Sequence, residues 1–360
     1  MAAEISLCMI VKNEEDTLGR CLESVRPYVE EIVIADTGST DKTVDVAKKY
    51  ADKVLSFDWV DDFSAARNFS FSHATCEYVM WLDADDVVTE ENGGKLLALK
   101  ERLEKEKPDF VMCRYDVSFD ENGNCTYTYY RERIMKRAAS PEWKGCVHEC
   151  VPPSGKIIRS DFAVQHRKIH PSAPNRNLNV YCKNLERGIV LSPRDKFYFG
   201  RELYYNKVYD KAIEVLDNMT GDISGWYVNK IEACKILSLC HSAEGRTEDA
   251  LKVLFRSFLY GEPRAGIVCR IARLFKEKKR YGEAIFWYGR ALDCRDHSEE
   301  GDFDNPRDRD LNPLLGLTEC CYLAGRKKES RAYHERLVGL FPDDPVVRAN
   351  DKFFAAHPDE

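Results

Sequence analysis

Apolar residues follow two rhythms along this chain. In the first third, short β-branched runs at Ile5–Val11 and Glu31–Asp36 have the unbroken apolar character of strands buried on both faces. Between them Leu18, Leu22 and Val25 recur at helical spacing after Asn13, a candidate N-cap. The alternation continues with a helix opening at Ser39 or Thr40, a strand over 53–57, a helix over 63–73, a strand over 78–83, and a helix from Thr89 carrying Leu96, Leu99 and Leu103. Such βα alternation predicts a mainly parallel sheet with helices on both faces. After Pro108, residues 110–119 and 125–136 read as two strands joined at Glu121-Asn-Gly-Asn124, an Asn-Gly hairpin signal that adds an antiparallel ribbon. Residues 143–153 and 161–174, rich in Gly, Pro, His and charge, read as irregular, where a loop-built site is expected.

From about Asn177 the second rhythm takes over and only helices are expected. Tyr209-Asp-Lys-Ala-Ile213, Arg246-Thr-Glu-Asp-Ala-Leu251, Arg280-Tyr-Gly-Glu-Ala-Ile285 and, more weakly, Gly325-Arg-Lys-Lys-Glu-Ser330 form a repeat. Its small residues Ala212, Ala250, Ala284 and Ser330 lie 38, 34 and 46 apart, bracketing the period of tetratricopeptide helix pairs. The longest interval carries a charged insertion over 296–310. The expected architecture is therefore an α/β domain over 1–176 and an all-α, tetratricopeptide-like solenoid over 177–360.

Composition narrows the function classes. The formal charge of −7 and the scatter of lysine and arginine among acids give no footprint for nucleic acid or an anionic membrane. No apolar run is long enough to span a bilayer, and the first residues lack a basic region and a cleavage site, so a cytoplasmic location is expected. The 14 cysteines fall mostly inside apolar patterns, as buried free thiols do, and no Cys-x-x-Cys occurs. Cys146, His148 and Cys150 would share a face if they formed a strand, but no second ligand pair lies nearby to make a zinc site.

Three Asp-x-Asp triplets occur, Asp83/Asp85, Asp302/Asp304 and Asp308/Asp310, against about 2.5 expected by chance from 30 aspartates in 360 residues. Position separates them. In an open parallel sheet ligands sit outside the carboxyl ends of the strands. Asp36 ends the second expected strand, Asp58 or Asp61/Asp62 follows the third, and Asp83 ends the fourth with Asp85 two residues on. The other two triplets lie in the charged insertion and read as solvated acids. A row of carboxylates along one sheet edge suits nucleotide-sugar transfer, in which a hard divalent cation bridges the donor's phosphates and neutralises charge as the diphosphate leaves. Neither a P-loop nor a Gly-x-Gly-x-x-Gly after the first strand is present.

Ile-Val-Lys-Asn-Glu-Glu (10–15), Asp-Thr-Gly-Ser-Thr-Asp (36–41), Phe-Ser-Ala-Ala-Arg-Asn (63–68) and Leu-Asp-Ala-Asp-Asp (82–86) resemble, in order and spacing, the family 2 inverting glycosyltransferases of GT-A fold. That resemblance implies a nucleotide-sugar donor, usually UDP-linked, and Mn²⁺ or Mg²⁺. It implies that Asp36 meets the uracil, Arg67 the nucleotide or diphosphate, and Asp83 and Asp85 the ribose and metal. Val11, Asn13, Glu14 and Ala84 complete the donor-binding set, with Asn13 and Glu14 shaping the base pocket. Trp143-Lys-Gly-Cys-Val-His-Glu149, His166, Arg176-Asn-Leu178 and Phe199-Gly-Arg-Glu-Leu203, followed by the helical array, are similar to a bacterial subgroup that includes the S-glycosyltransferases of bacteriocin peptides, the glycocins.

An inverting transfer needs a carboxylate to take the acceptor's proton, and Glu149, beside His148, is the candidate base. As a plain structural feature, Glu149 would be a salt-bridged loop acid and Arg67 a partner of Asp62. His166 is a candidate third metal ligand alongside Asp83 and Asp85, with His170 competing for the role. The expected reaction moves a hexose from a UDP-sugar to a peptide or protein side chain, Cys or Ser/Thr. The rivals are a saccharide acceptor in cell-surface glycan synthesis, a non-catalytic tetratricopeptide scaffold with a degenerate transferase domain, and a nucleotidyltransferase. A homodimer through the helical domain is a further expectation.

Overall fold

The structure, a computed structural model, describes residues 2–120, 123–170, 173–297, 303 and 305–357. The first half of the expected Asn-Gly turn, residues 121 and 122, and the Asp302/Asp304 triplet lie outside the described residues. The chain divides into two compact units, Met1–Val190 and Leu191–Glu360.

Among its described residues the first unit has strands and α-helices in the order β1 Ile5–Val11, α1 Leu18–Val25, β2 Glu31–Asp36, α2 Thr43–Ala47, β3 Lys53–Ser56, α3 Phe63–Ser72, β4 Tyr78–Trp81, β5 Asp86–Val87, α4 Glu90–Glu106, β6 Phe110–Phe119, β7 Cys125–Lys136, β8 Ile157–His166 and α5 Arg176–Glu186. One mixed sheet runs in the order β3-β2-β1-β4-β7-β6-β8-β5. β3, β2, β1 and β4 are parallel neighbours, β7 enters antiparallel to β4 and β6, and β8 lies parallel to β6. The apolar runs are continuous because both faces are covered. Ile5, Leu7 and Met9 pack with Leu18, Leu22, Leu96, Leu99 and Leu103 on one side, while Cys8 and Val33 pack with Phe71, Trp81 and Trp143 on the other.

Three local expectations need correction. Asn13 does not cap α1, whose N-cap is Thr17; it adopts a left-handed φ of 54° and reaches sideways to the next loop. The second helix opens at Thr43 rather than at Ser39 or Thr40, because those residues satisfy the β1 loop instead. Residues 161–166, expected as irregular, belong to β8, whose Phe162, Ala163 and Val164 are buried. Pairing with β6 decides that strand, and pairing partners remote in sequence are invisible to local pattern.

The second unit is helical: α6 Pro193–Tyr205, α7 Tyr209–Gly221, α8 Tyr227–Ala243, α9 Thr247–Arg256, α10 Ala265–Glu277, α11 Tyr281–Ala291, α12 Leu311–Leu323, α13 Lys327–Leu340 and α14 Pro345–Ala356. The repeat falls on the second helix of each pair. Ala212, Ala250, Ala284 and Ser330 are all fully buried, the small residues that let paired helices approach. One left-handed residue precedes each second helix, Lys207, Gly245, Lys279 and Gly325, at the same intervals as the small residues. No helix among the described residues is long and apolar enough to cross a membrane.

Candidate active site

The carboxyl ends of β2, β1 and β4 lie side by side, and their loops are stitched together by polar side chains. Val11 and Asp36 are register neighbours, and Val11 O accepts from Thr37 N at 2.9 Å. Buried Asp36 accepts from the backbone N–H groups of Gly38 and Ser39, at 3.2 and 3.1 Å. Asn13 Oδ1 accepts from Thr40 N at 2.8 Å, Asn13 N donates to Ser39 Oγ at 2.9 Å, and Glu14 N donates to Thr43 Oγ1. Val11, Asn13, Glu14 and Asp36 therefore form one cluster beside the end of β4. Asp61 and Asp62 stand apart from the site: Asp61 anchors α5 through Lys183 and Arg187, and Asp62 caps α3 by accepting from Ala65 N.

Helix α3 explains the spacing Phe-Ser-Ala-Ala-Arg-Asn. Ser64, Arg67 and Asn68 fall on one helical face, and each takes hold of the loop that carries Glu149 or of the β4 end. Ser64 Oγ donates to Gly145 O at 2.6 Å, and the Asn68 amide exchanges two hydrogen bonds with the Trp143 backbone, at 3.0 and 2.8 Å. Arg67, 8% exposed, donates from Nε to Glu149 Oε1 at 2.7 Å and from Nη2 to Asp83 Oδ1 at 2.8 Å. Its guanidinium lies over the rings of Trp81 and Trp143, 4.9 and 4.8 Å from their centroids. Arg67 thus joins Asp83 and Glu149, which are 66 positions apart in sequence, and does not pair with Asp62. Burial favours its neutral form, but Asp83 and Glu149 outweigh it and raise the guanidinium pKa further. Burial likewise pushes Asp83 up, and the cations Arg67, Arg133 and His166 hold it below the usual carboxylate range.

Glu149 is 11% exposed and, among the described residues, its Oε2 makes no hydrogen bond. Its neighbour His148 has a left-handed φ of 53°, a strained position for a non-glycine residue. The loop is pinned on both sides by the Lys144–Cys150 bridge and by Phe63 N donating to Cys146 O.

Beyond Asp83, the groups Asp85, Asp86 and His166 bring ligand atoms within 4.8 Å of one another. Asp83 is not in that group, its carboxylate being turned to Arg67, and His170 lies elsewhere, exposed beside Asp16. Asp86 is fully buried and already committed: it accepts from Asp83 N, from Tyr115 Oη at 2.8 Å and from Arg133 Nη1 at 3.3 Å. His166 Nδ1 stands 2.9 Å from Tyr115 Oη and 3.3 Å from Asp86 Oδ1. Burial pushes the Asp85 carboxyl up; His166 opposes this, and Asp83 and Asp86 reinforce it. The hydrogen bond to Asp86 raises His166 against the effect of burial, helped by Asp85. Asp83 is balanced by Arg67 and Asp86 by Arg133, which leaves Asp85, among the described residues, with His166 as its only cationic neighbour. Asp85 and His166 are the residues that could hold a divalent cation, His166 by giving up at Nδ1, which stands 3.4 Å from Asp85 Oδ1, its contacts with Tyr115 and Asp86.

Sequence reasoning missed Arg133, Tyr115 and the two tryptophans. Arg133 is fully buried and stacks 3.7 Å from the Trp81 centroid. The available signal was a run of charge, Arg131-Glu-Arg133, leading into an apolar strand end, where a charge survives only with partners.

Residues 6–163 match the family model Glycosyl transferase family 2. They form a family 2 glycosyltransferase domain, of α/β GT-A type, followed by tetratricopeptide-like helices. The chain is 31% identical over 234 residues to the SPbeta prophage-derived glycosyltransferase SunS of Bacillus subtilis, covering 62% of this chain and 54% of that protein. It is 49% identical over 84 residues to a TPR repeat-containing protein of Synechococcus elongatus, covering 23% of this chain and 21% of that one. The chain spans about half the length of SunS in that match. Among solved structures, S. aureus TarS is similar at 14% identity and a TM-score of 0.42, over 69% of this chain and 54% of that one.

Proposed function

We propose that this protein is a metal-dependent, inverting glycosyltransferase that moves a hexose from a UDP-sugar to a Cys or Ser/Thr side chain of a peptide or protein. The observation that carries the reading is Arg67, which holds Asp83 and Glu149 together at the end of β4, beside Asp85 and His166. Asp36, Val11, Asn13 and Glu14 form the wall that receives uracil, and Asp83 with Ala84 meets the ribose. Asp85 and His166 would hold Mn²⁺ or Mg²⁺, which when bound would offset the charge on the departing diphosphate. Tyr115 and Asp86 meet His166 at Nδ1, the nitrogen that also faces Asp85, and would be displaced from it by a cation held there.

The acceptor's sulfur or oxygen attacks the anomeric carbon from the side opposite the diphosphate. The new bond to that carbon forms as the carbon–phosphate oxygen bond breaks, and the electron pair leaves with UDP. Glu149 takes the acceptor proton at Oε2 while Arg67 keeps the carboxylate oriented through Oε1. His148, on the same strained turn, completes the catalytic loop. The similarity of residues 143–149, 166, 176–178 and 199–203 to the bacteriocin-peptide subgroup supports a peptide acceptor, with the helical unit helping to hold acceptor or partner. It also offers a surface for a homodimer, which light scattering showing a monomer at micromolar concentration would remove.

A thermal-shift plate with UDP-, GDP- and dTDP-sugars, each with Mn²⁺ or with EDTA, reads donor and metal together. A UDP-sugar shift that EDTA abolishes is expected. Mass spectrometry on peptides and oligosaccharides then reads the acceptor; mass gain on saccharides alone sinks the peptide reading. Transfer that persists in Asp83→Ala/Asp85→Ala refutes the site.

A further inference from the structure

β7 has an outer edge that the described residues leave open. It pairs with β6 along nearly its whole length but with β4 only through Ile134, Met135 and Lys136. β4 ends at Trp81, whose Nε1 donates to Glu132 O at 2.6 Å. Past that contact, Thr126, Tyr127, Thr128, Tyr129 and Tyr130 are all exposed. Backbone groups alternate along a strand, so Tyr130 and Thr128 face outward as Glu132 O does, while Tyr129 and Arg131 face β6. Among the described residues, no group takes the outward N–H and C=O of Thr128 or Tyr130. An uncharged Thr-Tyr-Thr-Tyr-Tyr edge is β-prone and unguarded, the condition under which another strand adds.

The rings on one face of this edge lead into the site. Tyr127 and Tyr129, 47% and 38% exposed, lie 6.0 Å apart; Tyr129 meets Tyr115 at 5.7 Å, and Tyr115 meets His166 at 5.6 Å. The open edge also prolongs the line of β4, whose carboxyl end carries Asp83 and Asp85.

We propose that the outer edge of β7 at Thr128 and Tyr130 binds the acceptor peptide as an added β-strand, with alternate side chains resting on Tyr127 and Tyr129. The inference rests on the peptide-glycosyltransferase reading above. Place selects the occupant. A strand laid along this edge runs toward the reacting carboxylates, and an extended peptide supplies the alternating N–H and C=O groups that the edge lacks. A saccharide has no such ladder, and a second copy paired edge to edge would shut the acceptor out.

The test uses a library of synthetic peptides, each with one Cys and one Ser, scored by mass gain with UDP-hexose and Mn²⁺. Wild type is compared with Thr128→Pro and with Tyr127→Ala/Tyr129→Ala. Proline at 128 removes an outward donor without breaking the ladder to β6. UDP affinity by calorimetry reports whether the donor site stays folded. Thr128→Pro is expected to lower kcat/KM for the peptide by up to about tenfold, the worth of the one backbone hydrogen bond it removes, with UDP affinity unchanged. The tyrosine variant is expected to raise KM more than it lowers kcat. If Thr128→Pro unfolds, N-methylation of alternate residues of the best peptide tests the same ladder on wild type and is expected to abolish turnover. Unchanged kcat/KM with Thr128→Pro or with N-methylated peptides overturns the proposal, as does a wild-type dimer that Thr128→Pro makes monomeric. Mass gain on oligosaccharides alone overturns both this proposal and the peptide reading. Absence of UDP affinity in wild type overturns the donor reading instead, a failure that calorimetry separates from the others.

Discussion

Replacing Arg67 with Met tests whether this arginine holds the catalytic loop to the end of β4. Methionine keeps the unbranched apolar stem but not the guanidinium, so the two ion pairs and the stacking on Trp81 and Trp143 are lost together. Two charge-assisted hydrogen bonds disappear, at 2.7 and 2.8 Å, and Glu149, 11% exposed, loses its ion-pair partner and keeps only the more distant Arg131. Removing one partner of a buried pair costs about 3–5 kcal/mol. Asp83 is 36% exposed and water takes over part of its share, so the lower end, about 3 kcal/mol, is expected. In a unit of this size each kcal/mol moves Tm by about 2–4 °C, giving a fall of about 6–12 °C. The assay is denaturation of wild type, Arg67→Met, Glu149→Gln and the double variant. A coupling energy of about 1–3 kcal/mol is expected, because the neutral amide that Glu149→Gln introduces no longer needs the cation. Arg67→Met costing under about 1 kcal/mol, with no coupling to Glu149, would refute the bridge as the device that sets the loop.

Other consequences follow from single contacts. Glu31 sits against Lys53, Ser6 and Thr75, which outweigh its burial and lower its pKa to about 2. Its stabilisation is full above the ordinary carboxylate value and lost as pH falls from about 4.5 to about 2; at most about 3 kcal/mol should vanish there in wild type and not in Glu31→Gln, by acid titration of stability. Lys279 has a φ of 59° where two sister repeats use glycine, so Lys279→Gly should be neutral or stabilising by up to about 1 kcal/mol in thermal melts. A Cβ on Gly316 would stand 2.4 Å from Tyr288 Cζ, so Gly316→Ala should cost about 1–3 kcal/mol by denaturant titration, and Tyr288→Leu in the same chain should recover part of it.

The alternation of strands and helices, the hairpin strands, the repeat and the acids at strand ends were all legible in the sequence. Each of these is local: burial on both faces leaves an unbroken apolar run at Ile5–Val11, and helix pairs need a small residue once per repeat. What those residues touch came only with the folded chain. Asn13 could cap a helix or bridge two loops, and the nearness of Thr40 chose the bridge. Residues 161–166 became strand through pairing with β6. Asp83 and Glu149 became one unit through Arg67, while Asp86, in the same short acidic run as Asp85, was spent on Arg133 and Tyr115. A carboxylate's role depends on which charges and hydrogen bonds meet it within a few ångströms, and in this fold those partners come from segments far apart in the chain.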